Sequence, residues 1–141
     1  MIKNYFSQQD ILMAPIEAPQ LKAYQGQLIA SLEKLRNDIS EILMRSNHAG
    51  HKMAAKKIQT LSTDELVELT LKMNLPCIAH KVEEIKSIDA SLNDIELGLY
   101  GFCADCEEEI EVIRLKLDPT TKRCLVCDIK YQKQPYNKFK L

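Results

Sequence analysis

Leucine and isoleucine recur in a helical rhythm near the start of the chain, where Leu21, Leu28, Leu32, Leu35, Ile39 and Ile42 follow at spacings of seven, four, three, four and three. Residues three and four apart share one face of an α-helix, so the pattern predicts a single long helix with one narrow apolar seam. Pro19 suits its first turn, where a missing N–H removes no bond, and Ala49–Gly50 interrupts it after about Asn47. A second run, Ile78, Val82, Ile85, Ile88, Leu92, Ile95 and Leu99, alternates fours and threes in the same way, with Lys, Glu, Asp and Ser between. Neither seam is stable in water, since burial contributes about 0.8 kcal/mol per CH₂ group. The two arms are therefore expected to pair as an antiparallel coiled-coil hairpin. Pairing between two chains of a dimer is the other way to bury the same stripes.

The stretch between the arms does not continue either of them. Ser62, Thr63, Asp64 and Glu65 read as a capping box: Ser62 is the N-cap of a new helix and Glu65 reaches back to it. Asn74, Leu75 and Pro76 then predict a break or kink, because Pro76 has no N–H to donate and restricts Leu75. An elaborated tip over about 48–76 follows. Cys77, beside the seam residue Ile78, is expected to be a small, half-buried hydrophobe. His48, His51 and His80 lack a metal-ligand spacing and read as solvated or capping histidines. Ahead of the first arm, residues 1–16 have no clean period, and Pro15 and Pro19 punctuate their end. Tyr5, Phe6, Ile11, Leu12 and Met13 are expected to fold back over the C-terminal part of the chain.

Composition narrows the class further. A chain of 141 residues allows one domain with an extension, and the absence of Trp with only three Phe and five Tyr leaves Leu and Ile to build the core. The first residues contain no continuous apolar stretch, and no run of eighteen apolar residues occurs. A soluble, cytoplasmic protein with no membrane partner is expected. The formal net charge of −1 gives no reason to expect generic or sequence-specific DNA binding. Acidic side chains nevertheless gather over 103–118 and basic ones over 122–141, as solvated faces or as a basic tail facing a partner. No Ser/His/Asp or Cys/His arrangement, phosphate-binding glycine loop or paired-carboxylate pattern is present, so no catalytic residue is assigned and an enzyme is not expected.

The most specific signal is a pair of C-x-x-C motifs, Cys103/Cys106 and Cys124/Cys127, separated by seventeen residues. Two intervening residues let both thiolates of a pair turn toward one ion, and the two pairs close a loop across it. The spacing fits a tetrahedral zinc template, with one Zn²⁺ bound by four thiolates and no position left open for water or substrate. Such a closed site is structural. Two disulfides fit a reducing compartment poorly, and an iron centre gives no reason for the long helices upstream.

These parts resemble a known family. The helical hairpin followed by Leu99, Tyr100, Gly101, Phe102, Cys103-x-x-Cys106, then Ile110, Arg114, Leu115, Pro119 and Cys124-x-x-Cys127, is similar to the DksA/TraR C4-type zinc-finger family. Glu17, Ala18, Pro19, Gln20 and Leu21 resemble the helix start of its full-length members. The resemblance implies a mainly α fold: a segment over 1–16 packing on the zinc module, a coiled-coil hairpin over 17–98, a zinc finger with a C-terminal helix over 99–133, and a basic tail over 134–141. It also implies a cytoplasmic bacterial transcription regulator that binds RNA polymerase, inserting the hairpin into the secondary channel. A non-catalytic interaction or dimerisation module without channel activity is the alternative.

Partner contacts fall, on this resemblance, at the tip, with His51, Lys52, Lys56, Lys57, Asp64, Glu65 and Glu68 as candidates. Three departures stand out. The family's Asp-x-x-Asp-x-Ala tip motif is absent from 48–76. The second arm is net acidic over 80–94, so a guanosine tetraphosphate response does not carry over by resemblance alone. Glu107 stands where the family usually has Gly, at a position where a positive φ is costly for Glu.

Overall fold

The computed structural model describes residues 16–134, and among them six helices and no strand. The expectations for the segment before Ile16 and for the tail after Gln134 lie outside the described residues. The helices are α1 Ala18–Met44, α2 Ala49–Ala55, α3 Thr63–Met73, α4 Pro76–Leu97, α5 Val112–Leu117 and α6 Leu125–Lys133. At 1.5 Å per residue α1 is about 40 Å long and α4 about 33 Å. The chain divides into two compact units: residues 25–93 form one, and 16–24 with 94–134 belong to the other.

The first unit is the helical hairpin. Leu28, Ile39 and Leu43 of α1 are buried, as are Ile78, Val82, Ile85, Ile88 and Ser91 of α4, and the Asp38–Lys81 ion pair at 3.7 Å links the two helices. The Lys34 hydrogen bond, 3.1 Å long, is the main cause that holds the Asp38 carboxyl below the usual carboxylate range. Ser91 Oγ is buried with no hydrogen-bond partner among the described residues.

Most of the core lies toward the tip. Ile39, Leu43, Ala54, Ala55, Ile58, Leu66, Ile78, Val82 and Ile85 form one cluster, with Leu32, Leu35 and Ile42 only partly buried at its edge. Helix α2 and the turn after it are tied back to α1 by polar contacts. Ser40 Oγ donates to Ala55 O at 3.1 Å, and Arg36 Nη1 donates to Ile58 O at 2.7 Å and Leu61 O at 2.8 Å. These bonds supplement the turn that follows the short helix, in which Lys57 N donates to Ala54 O at 2.9 Å and Ile58 N to Ala55 O at 3.4 Å.

The expected punctuation is present. Ser62 Oγ accepts from Glu65 N at 3.2 Å and Ser62 N donates to Glu65 Oε1 at 2.9 Å, which completes the capping box of α3. The backbone and side chain of Ser62 hold the Glu65 carboxyl below its ordinary range. Helix α3 stops on left-handed Asn74 (φ 52°), and Pro76 opens α4 where its missing N–H is harmless. Helix α4 stops at Gly98 (φ +76°), with Gly98 N donating to Ile95 O at 3.2 Å and Leu99 N to Asp94 O at 2.8 Å. Those two bonds are a Schellman closure.

Two expectations are corrected. Leu99 continues the sequence period but lies past the end of α4 and is exposed, because Gly98 reverses the chain before it. Cys77 is exposed rather than half-buried: one residue from Ile78 is a turn of about 100° around the helix, which carries it off the seam.

Candidate metal centre and hairpin tip

Two loops and one helix start bring the four thiols together. After α4, Tyr100 is buried and its hydroxyl donates to Pro119 O at 2.7 Å, while its ring lies 5.9 Å from that of Tyr24. Burial pushes the Tyr100 phenol above its ordinary range, so it remains a donor. Gly101 takes a positive φ of 90°, and Phe102 pairs with Glu109 in an antiparallel bridge that closes the first knuckle. Inside it Cys103 N donates to Glu108 O at 2.7 Å, Glu107 N to Cys103 O at 3.0 Å, and Asp105 N to Cys103 Sγ at 3.4 Å. The Asp105 N–H aimed at sulfur stabilises a thiolate, the form a metal requires.

The second pair sits at the start of α6. Cys124 is its N-cap and Cys127 lies in its first turn, yet Cys124 makes no side-chain capping bond. Glu111 does that work: its carboxylate accepts from Leu125 N at 3.1 Å, which leaves the Cys124 sulfur unspent. The knuckles are joined by Ala104 N donating to Lys122 O at 2.8 Å and by the Arg123–Asp105 ion pair at 2.8 Å. Arg114 spans Glu111 and Asp128 and donates to Arg123 O at 3.2 Å. Lys122 pairs with Asp94, and Ile110 and Leu115 fill the small core.

The sulfurs of Cys103, Cys106, Cys124 and Cys127 all lie within 4.8 Å of one another, and Cys106 and Cys124 are 3.8 Å apart. A tetrahedron with metal–sulfur bonds of about 2.3 Å has edges of about 3.8 Å, so the donor set fits one zinc ion. A disulfide would bring a pair to about 2.05 Å, and all five cysteines are free thiols. The four thiols are not equivalent. Burial opposes ionisation of Cys103, but hydrogen bonds from the backbone of Cys106, Cys124 and Asp105 hold it down to about 6. Burial and the neighbouring thiols push Cys127 up to about 12. A cation shared by all four sulfurs removes that mutual repulsion.

Glu107 takes φ 66°, the left-handed region that is costly for a residue with a side chain. A left-handed Glu costs roughly 1–2 kcal/mol, partly offset by the greater unfolded-state freedom of Gly. Glu107→Gly is therefore expected to stabilise the module by about 0.5–1 kcal/mol, read as a higher melting temperature and slower metal loss to a chelator. Unchanged values would mean that the turn imposes no strain.

The tip candidates all lie in the hairpin unit, in two states. Lys52, Lys56, Lys57, Asp64 and Glu68 are exposed and free of ion pairs among the described residues. Glu65 is exposed but committed to the capping box, and His51 is half-buried with Nδ1 2.8 Å from Ser46 Oγ. His48 caps α2 by accepting from Gly50 N at 3.1 Å and stacks on His51 with ring centroids 4.5 Å apart; of the three histidines expected to be solvated or capping, His48 caps, His80 is exposed and His51 is half-buried without a cap role. The Arg36 anchor under the tip was not anticipated. Its bonds span separations of 22 and 25 residues, beyond any local sequence signal.

Four cysteines on two knuckles, within reach of one ion and following a helical hairpin in sequence, define a structural C4 zinc finger. Comparison with known proteins makes the assignment specific: residues 98–133 match the family model of the prokaryotic DksA/TraR C4-type zinc finger. A protein of Aquifex aeolicus (strain VF5) described as uncharacterized is 40% identical over 47 residues. That alignment covers 33% of this chain and 32% of the relative, so the chain spans about a third of the length of the curated relative it matches. The solved structure of transcription factor DksA2 from Pseudomonas aeruginosa matches with a TM-score of 0.55 at 19% identity, covering 89% of this chain and 96% of that one. The fold is DksA-like.

Proposed function

We propose that the chain is a non-catalytic transcription regulator that docks on bacterial RNA polymerase, with the hairpin in the secondary channel and the zinc module outside it. The observation that carries this reading is the combination of a DksA/TraR zinc finger with a DksA-like fold along most of the chain. A closed four-thiolate centre offers no open coordination position for catalysis. No helix among the described residues is long and apolar enough to cross a membrane, and the reading takes the cytoplasm as the site of action. In this account the arms and zinc module supply affinity and the tip supplies the effect on promoter complexes.

Asp64 is the first tip residue to test. It is exposed in the first turn of α3, on a helix fixed by a complete capping box, and it is the carboxylate closest to where the family carries its acidic motif. Asp64→Asn should leave co-elution with core RNA polymerase within about threefold while changing the lifetime of promoter complexes. If Asp64 serves only its own helix, worth about 0.3–1 kcal/mol, the variant melts slightly lower and transcription is unaltered. The module reading has its own support: Val112, Ile113, Leu117, Leu125, Val126 and Ile129 are exposed around the zinc finger, a surface suited to a protein contact. That reading gains if the intact chain self-associates and does not co-elute with polymerase.

A further inference from the structure

The net charge of −1 conceals a stretch at the start of the tip that carries positive charge alone. Between Glu41 and Asp64 the sequence has no acidic residue, while Arg45, Lys52, Lys56 and Lys57 all fall in that interval. All four are exposed, and none makes an ion pair among the described residues, as also holds for Lys22, Lys72 and Lys116. Lys52 and Lys56 stand four residues apart on one helical face, where like charges repel. Lys52 in the last turn of α2 and Lys56 at its C-cap suit the negative end of that helix, but no acidic side chain pairs with any of the four among the described residues.

The underside of the same segment is held firmly. Ala54, Ala55 and Ile58 are buried in the core cluster, and Ser40 and Arg36 bind the backbone at Ala55, Ile58 and Leu61. The cations are therefore displayed on a fixed scaffold, so a ligand does not have to order the backbone that carries them. Beside them lie the stacked rings of His48 and His51, and Met53 is 65% exposed. Of the two rings His48 is exposed and His51 half-buried; point charges beside an exposed ring recur in sites that take single-stranded nucleic acid, where lysines track the phosphates and rings stack on unpaired bases. An acidic protein surface would satisfy the charges but make no use of the exposed His48 ring beyond its capping bond.

We propose that the tip from Arg45 to Lys57 binds single-stranded RNA or DNA through its phosphates, without reading sequence. This does not depend on polymerase binding. The test is fluorescence anisotropy of the zinc-loaded full chain with labelled oligo-dT and oligo-U, titrated with salt. Four phosphate contacts predict a slope of log K against log salt of about −3, falling to about −0.7 in Lys52→Gln/Lys56→Gln/Lys57→Gln, where Arg45 alone remains. The corresponding triple Lys→Arg variant should retain the wild-type slope. All three side chains are exposed, and the melting temperature of each variant checks that the fold is intact. Absence of binding at low salt, the wild-type slope retained by the triple Gln variant, or polyglutamate competing as well as an oligonucleotide of equal charge would each overturn the proposal.

Discussion

Replacing Ile85 with aspartate lowers stability by about 3–5 kcal/mol and removes the cooperative unfolding of the hairpin. Ile85 is 0% exposed and belongs to the cluster that also holds Ile39 and Val82, so an introduced carboxylate would have neither water nor a cation beside it. At roughly 4–8 °C per kcal/mol for a unit of this size, the melting temperature falls by more than about 12 °C. Leu35→Asp provides an internal control. Leu35 is only partly buried at the edge of the cluster, so its new carboxylate can reach solvent and the loss should be distinctly smaller. Both changes lie on periodic apolar positions, yet only one is at the centre of the packing. Circular dichroism melts of the two variants side by side give the answer, and equal losses would show that the core is centred elsewhere.

The second large effect follows from removing the metal. The zinc module has a small core, chiefly Tyr100, Ile110 and Leu115 with the buried cysteines, and segments of such size depend on a metal or disulfides for stability. Apparent zinc binding energies of about 10–16 kcal/mol in finger peptides enter directly as folding energy. One equivalent of zinc per chain is therefore expected by elemental analysis, with Cys103→Ser or Cys124→Ser losing most of it and Cys77→Ser losing none. Hydrogen exchange should then accelerate across 98–133, while α3 and the seam of the hairpin keep their protection. Because thiolates bind the ion, acid releases it by protonating them, and affinity falls as pH falls. Wild-type zinc content in Cys124→Ser would remove that residue from the ligand set.

Sequence order revealed those parts of the molecule whose determinants are local. The seam could be read because a 3.6-residue period leaves apolar side chains three and four apart, and Leu28, Ile39, Ile78, Val82, Ile85 and Ile88 are buried as that rule requires. The capping box at Ser62 and the paired thiols are equally local, since each needs only the right residue types at fixed spacings. The tip core was not legible. Ala54, Ala55 and Ile58 sit in a seven-residue helix and the turn beyond it, too short for a period to emerge, and their burial depends on α1 and α4 closing over them. Leu99 shows the opposite failure: its spacing continued the period, but the left-handed turn at Gly98 ended the helix that the period described. Arg36 reads as an ordinary polar position on α1 and becomes an anchor only when carbonyls distant in sequence arrive beside it.

The function proposed for this chain rests on a handle and a probe acting on one partner, and competition for that partner tests it most directly. Purified chain, loaded with zinc, is incubated with core RNA polymerase and challenged with an established secondary-channel factor. The account predicts a stoichiometric complex that the competitor displaces in proportion to its own occupancy. A complex unaffected by saturating competitor, or no complex at all, would contradict it.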